Sequence, residues 1–269
     1  MKLKSRFAAY LMFAAIALPM SAEAHRAWLY PSATVLSGKD NWVTVDAAIS
    51  NDLFYFEHNP MRLDNLKIFA PDGTSVAPQN ANTGKYRSTF DVQLTQPGTY
   101  KMAVVNEGLF AQYQLNGERK RWRGTKERLS EIPSAATDVK VTQSQSRVEI
   151  FVTSGKPSEK ALEPTKQGLE LVAVTHPNNL VSGETAKFKL LLDGEPAKGV
   201  EVAVIQGGIR YRDKLNEVNL KTDDEGIVTV KWTAPGMYWV NATVRDQKAT
   251  VPNAERRASY TTTVEVLPE

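Results

Sequence analysis

The sequence predicts an all-β protein of two tandem β-sandwiches behind a cleaved leader. Three observations carry that prediction. Short runs of β-branched and aromatic residues alternate with turn signals, a turn-and-strand pattern recurs in both halves, and no segment has the periodicity of a long amphipathic helix. The runs include Trp42-Val43-Thr44-Val45, Leu66-Lys67-Ile68-Phe69, Tyr100-Lys101-Met102-Ala103-Val104 and Val148-Glu149-Ile150-Phe151-Val152. Between them stand Pro71-Asp72-Gly73, Asp193-Gly194 and Asp224-Glu225-Gly226, whose residues favour tight turns. Strands at this spacing build sandwiches rather than βαβ units. On grounds of alternation, Trp42, Trp232, Trp239, Met102 and Met237 are expected in the cores.

Residues 1–24 read as a signal peptide. Lys2, Lys4 and Arg6 precede an apolar run from Phe7 to Met20, too short to span a bilayer convincingly. Ala22 and Ala24 supply small residues at positions −3 and −1 of a cut before His25. The rival cut after Ala22 puts Met20 at −3, a poorer fit. No later segment is long and apolar enough to be a membrane helix, so the mature chain is expected to be no integral membrane protein. The chain has 33 Lys and Arg against 30 Asp and Glu, and loss of Lys2, Lys4, Arg6 and Glu23 leaves 30 against 29. That balance lacks the basic footprint of a nucleic-acid binder. With no cysteine, the fold has neither disulfides nor a thiolate metal site.

The first sandwich is expected over residues 25–153 and the second over 168–269. The stretch 154–167, rich in Lys, Pro, Glu and Ser, reads as a linker. The repeat pairs Gln96-Pro97-Gly98-Thr99-Tyr100 with Ala234-Pro235-Gly236-Met237-Tyr238, and Tyr30-Pro31 with His176-Pro177. A basic excursion, 109–137, carries Arg119-Lys120-Arg121-Trp122-Arg123. It is either a solvated hairpin with its Trp tucked onto the sandwich or a contact surface for an anionic partner or membrane headgroups.

Enzyme chemistry is not expected: there is no nucleophile elbow, no phosphate-binding glycine loop and no singled-out carboxylate pair. His25 is the residue of interest because cleavage would leave it first. An N-terminal His offers its α-amine and ring Nδ1 to one metal, and a second His completes a T-shaped three-nitrogen set suited to Cu(II) and acceptable to Ni(II). The amine titrates near pH ~8 in free peptides, low enough for a metal to displace its proton. His58, within Glu57-His58-Asn59-Pro60-Met61, and His176 are the candidates for the third nitrogen, with Glu57 and Met61 as auxiliaries. The competing reading makes His25 a frayed terminus, His58 an ordinary loop residue, Met61 packing, and His176 part of a turn.

Ala24-His25-Arg26-Ala27-Trp28-Leu29-Tyr30-Pro31-Ser32 resembles the mature start of a family of exported bacterial proteins. Gln96-Pro97-Gly98-Thr99-Tyr100, Gly117 to Gly124, and Gly168 to Val172 followed by Leu192-Asp193-Gly194-Glu195-Pro196 extend the resemblance over the mature chain. The family carries a domain-of-unknown-function label, and its members are described as periplasmic components of cobalt or nickel transport (NikM-like). The resemblance implies immunoglobulin-like domains in the periplasm and a soluble accessory protein that binds a divalent transition metal (Cu, Ni or Co), serving an envelope transporter or receptor. The alternative is a non-catalytic adaptor that docks an envelope or receptor partner. A more distant reading is a copper oxidase acting through the same His25.

Overall fold

The computed structural model describes residues 25–269, and the expected leader lies outside them. The first half contains β1 (Arg26–Pro31), β2 (Val35–Leu36), β3 (Trp42–Ser50), β4 (Asn59–Pro60), β5 (Leu66–Phe69), β6 (Ser75–Val76), β7 (Gln79–Thr83), β8 (Ser88–Gln93), β9 (Gly98–Leu115), β10 (Glu118–Gly124) and β11 (Thr137–Ser154). The second contains β12 (Leu169–Ala173), β13 (Thr185–Leu192), β14 (Glu195–Pro196), β15 (Glu201–Gln206), β16 (Val218–Lys221), β17 (Ile227–Lys231), β18 (Gly236–Asp246) and β19 (Ala254–Val266). Three short 3₁₀ segments, at Lys126–Glu131, Lys160–Leu162 and Ile209–Tyr211, are the helical segments among the described residues. The protein is all-β, in two sandwiches whose sheets are antiparallel except where β11 pairs in parallel with β19 and β2.

A five-stranded sheet (β1-β3-β8-β7, with β4 on β3) covers one face of a ten-stranded sheet, and a four-stranded sheet (β12-β13-β14, with β17 on β13) covers the opposite face further along. Each junction holds its own core. Leu29, Val45, Phe90, Tyr100, Met102 and Ile150 belong to the first; Phe188, Leu190, Val204, Trp232, Tyr238 and Tyr260 belong to the second. The halves are joined inside the ten-stranded sheet, where β11 runs parallel to β19 from Val141↔Ala254 to Ile150↔Thr263. A strand in that position is covered on both faces, so Arg147 to Ser154 are all buried.

That double burial explains the charges inside β11. Val148, Ile150 and Val152 face the first core. The alternate side chains Arg147 and Glu149 point the other way, where the Arg147 guanidinium lies 3.1 Å from Glu170 and 3.6 Å from Glu149. Tyr260 donates to Glu149 at 2.7 Å, and Glu170 also accepts from the backbone amides of Thr165, Lys166 and Gln167. Burial pushes the Glu149 carboxyl up, against the pull of Arg147, Lys101 and the Tyr260 hydroxyl. The connection 154–167 is fastened to the first sandwich. Ala161 and Leu162 are buried, the Glu163 backbone carbonyl accepts from the Lys101 ammonium, and the Ser158 hydroxyl accepts from the Thr99 amide.

The repeat is visible as matched geometry. Gly98 and Gly236 adopt φ +129° and +132°, and the tyrosine two residues later reaches back four residues in each copy. Tyr100 accepts from the Gln96 amide, and Tyr238 donates to the Ala234 carbonyl. Trp232, Trp239 and Met102 are buried and Met237 half-buried, but Trp42 is 39% exposed. The parity of β3 sets this: Val43, Val45 and Ala47 face the core, leaving Trp42 outside, where its indole donates to Asp40.

The excursion is a hairpin. Asn116 and Gly117, at φ +53° and +78°, form the tight turn that returns β9 into β10. Trp122 packs with Leu109 and Leu129 onto Val251 and Ala254 of the second sandwich's own excursion.

Replacing Arg147 with Met is expected to cost about 3–5 kcal/mol in urea unfolding, because it strands two buried carboxylates. A loss under about 1 kcal/mol would show that water reaches the cluster.

Candidate functional site

His25 and His58 meet because of register. β1 and β4 flank β3 on opposite sides, with Arg26 opposite Ser50 and Asn59 opposite Ile49. His25 and His58 each stand one residue before those strands, so both rings converge over the end of β3. Their centroids are 3.8 Å apart at an interplanar angle of 42°. His25 is exposed, and its Nδ1 lies 2.6 Å from Asn51 Oδ1; His58 is half-buried.

The loop between β3 and β4 is held at several points. Glu57 Oε1 accepts from the amides of Asn51 and Asp52 at 3.0 and 2.8 Å. The Ser50 hydroxyl accepts from the Trp28 indole and donates to the Asp52 carbonyl. Arg26 donates to the Asn51 carbonyl. Phe54 adopts φ +62°, a costly conformation for an aromatic residue, which survives where packing over-determines it. Its ring contacts Trp28 and Tyr30, and it lies so close to Gly207 that a Cβ there would sit 2.9 Å from it. Gly207 belongs to the second sandwich, so the position of the His58 loop is set across the junction. The same aromatic cluster includes Trp28, Ile205, Ile209 and Trp239. The Trp239 indole donates to the Ala27 carbonyl at 3.0 Å, closing the open edge of β1.

The other expected ligands lie elsewhere in function or in space. Glu57 spends one oxygen on the loop amides. Met61 is 3% exposed and packs in the first core, although it also borders the cleft beside His25. His176 sits at the contact between the connection and the second sandwich. Its Nδ1 accepts from the Asn178 amide at 3.1 Å, so its Nε2 carries the proton and faces Thr99 Oγ1 at 3.0 Å. Burial holds its pKa below the usual value, partly offset by the Ser158 carbonyl and Glu159. Protonation of Nδ1 would break the Asn178 bond, so His176 is a structural residue. Among the described residues, no group of three or more His, Cys, Asp or Glu stands close enough to hold a metal. The His25–His58 pair brings two ring nitrogens together, and a third nearby nitrogen, the α-amine of His25, would exist only in a chain that starts there.

Beside His25 opens a cleft of about 830 Å³ between the sandwiches. Ser144 and Ser146 of β11, Ser259 and Thr261 of β19, and Asn241 of β18 form a polar floor. Neither this floor nor Asn51 stands out in the sequence, where Phe54 reads as part of an aromatic cluster at a strand end and Gly207-Gly208 as a turn or bulge. The available signal was the switch along one face of β11 from Ser144 and Ser146 to Val148, Ile150 and Val152.

The model of a domain-of-unknown-function family, DUF4198, matches residues 22–246, and the chain belongs to that family. Comparison with curated proteins gives no match. Among solved structures, the D0-D1 domain of intimin is 15% identical, covering 89% of this chain and 97% of its own at a TM-score of 0.23. The D1-D4 ectodomain fragment of ICAM-5 is 10% identical over 90% of this chain and 51% of its own, with a TM-score of 0.23. A DUF4785 family protein from Legionella pneumophila is 8% identical over 80% and 50%, also at 0.23. The chain spans about half the length of the last two. Likeness at this level carries no functional argument. No helix among the described residues is long and apolar enough to cross a membrane.

Gly207→Ala is expected to displace Phe54 and loosen the loop, seen as at least tenfold faster amide exchange at residues 53–58 (about 1.4 kcal/mol of local stability). Unchanged exchange there would show that the loop is set from within the first sandwich. A second expectation concerns His176. Its pKa is depressed on folding, so its contribution to stability is complete above about pH 6.5 and falls away as pH drops towards the folded value. His176→Gln should flatten the stability profile below about pH 6.5; an unchanged slope would contradict the assignment.

Proposed function

We propose that this is an exported protein that binds one divalent transition metal through the amine and ring of His25 and the ring of His58. The observation that carries the reading is the pairing of the two rings at 3.8 Å beside the expected first residue of the mature chain. Nitrogen donors of this kind favour Cu(II), then Ni(II) and Co(II), in the general affinity order for divalent metals. In the chelate, Nδ1 of His25 leaves Asn51 for the metal, giving up one exposed hydrogen bond of about 1 kcal/mol. The neighbours of the pair are suited to positioning: Glu57 shapes the loop, and Phe54 locks it to the second sandwich.

On this reading the protein works in the periplasm as a soluble accessory, collecting or handing over metal for an envelope transporter or receptor. A link to cobalt or nickel uptake is the narrower form of the proposal. An adaptor role is the second reading, favoured by the exposed Arg119, Lys120 and Arg121 on β10, a strand whose outer edge is open.

Protein exported and processed by a cell should begin at His25 by intact mass and bind one equivalent of Cu(II). One residue added ahead of His25 should abolish that binding, and His58→Ala should weaken it about 100-fold. Binding that survives both changes would remove the proposed site and leave the adaptor reading.

A further inference from the structure

The cleft beside His25 has a composition that the metal site does not use. Arg26, Arg123 and Arg257 reach its wall, against one carboxylate, Glu217. Arg26 is engaged with Asn51, and Arg123 stacks on the ring of Phe110 with its guanidinium carbon 4.4 Å from the centroid. Arg257 is different. It is half-buried, and the neighbouring charge that acts on it is another cation, Arg245, its cross-strand partner. Arg245 has an acid of its own, Glu255 at 3.3 Å. A guanidinium withdrawn from water beside a second cation is costly unless something completes it. Burial, then Arg245, lowers its pKa from the ordinary arginine value.

The floor around Arg257 is built from hydrogen-bonding groups at one parity. Arg257 lies opposite Ser144, Ser146 opposite Ser259, and Val148 opposite Thr261 across the parallel pair. Asn241 spends its amide group on the Tyr260 carbonyl and the Thr261 hydroxyl, which leaves its carbonyl oxygen for other contacts. The β19 residues between these, Ala258 and Tyr260, are core. The polar parity therefore faces the cleft as a patch of hydroxyl and amide groups next to two forked cations. That pattern recognises oxygen-rich anions, and the forked guanidinium pairs carboxylates in a bidentate way. A space of about 830 Å³ is the size of a small-molecule site and far larger than an inorganic oxyanion requires.

We infer that the cleft binds a small polycarboxylate, held by Arg257 and Arg123 at its carboxylates and by the Ser and Asn floor at its hydroxyls. Such molecules are metal chelators, and His25 stands on the same wall. The metal can thus arrive or leave as a carboxylate complex. This last step rests on the proposed metal site; the anion site does not.

Citrate, titrated calorimetrically into metal-free exported protein, is the test. It should bind at about 1 mM or tighter, with inorganic phosphate at least tenfold weaker. Arg257→Gln and Arg123→Gln should each weaken citrate at least tenfold. Cu(II) added alone should bind both variants as it binds the parent protein. Arg123 lies on the exposed hairpin, so its variant keeps the test valid if Arg257→Gln fails to fold. No citrate binding, equal affinity for phosphate, or citrate affinity indifferent to Arg123 and Arg257 would each overturn the inference. Loss of Cu(II) binding by the parent protein with citrate binding intact would remove the metal site and leave the anion site standing.

Discussion

Val141–Ile150 and Ala254–Thr263 run side by side in parallel, and the relative placement of everything else follows from that pairing. Two sandwiches on a flexible connection would expose the edge of β1 and leave Trp28 without a cover. One continuous sheet instead sets β11 and β19 against β1, where Trp239 of β18 caps the Ala27 carbonyl and the aromatic cluster fills the gap. The buried ion cluster of Arg147, Glu149 and Glu170 sits on the other face of the same strand. An ion cluster of this kind adds little net stability over an apolar replacement, but its geometry resists slippage of one strand against the other.

The junction reaches the histidines through one loop. Phe54 is held at positive φ because Trp28, Tyr30 and Gly207 leave its ring one place to go. Glu57 then ties the far end of the loop to Asn51 and Asp52, and His58 follows directly into β4. His25 is fixed less tightly, by the register of β1 and one contact with Asn51. On the proposed reading, a firmly held His58 facing a less constrained His25 would suit a site that exchanges its metal. The cleft shares this wall, so the same junction that positions the histidines shapes its polar floor.

The class of fold was legible because turn residues and short β-rich runs are local signals. The Pro-Gly-x-Tyr repeat was legible for the same reason, and each copy turns out to close with a tyrosine hydroxyl four residues back. Strand parity was not always legible: adjacent Trp42 and Val43 are both apolar, and packing alone decides that Val43 goes inside. The parallel pairing left no local trace, since it joins residues more than a hundred positions apart. Composition made 154–167 read as a free connection, yet Ser158, Leu162 and Glu163 contact the first sandwich through specific bonds and burial. His25 and His58 were nameable from the sequence, but choosing His58 over His176 required the register of three strands. Arg257 carried no signal at all, because a cation with no acid partner among the described residues is recognisable only once its neighbours are known.

On the proposed function, two imidazoles, those of His25 and His58, face one metal. Pulsed EPR of the Cu(II) complex of exported protein counts equatorial imidazoles directly through their remote nitrogens. Two coupled imidazoles are expected in the parent protein and one in His58→Ala. A spectrum with a single imidazole in the parent, or two that persist in His58→Ala, would contradict it.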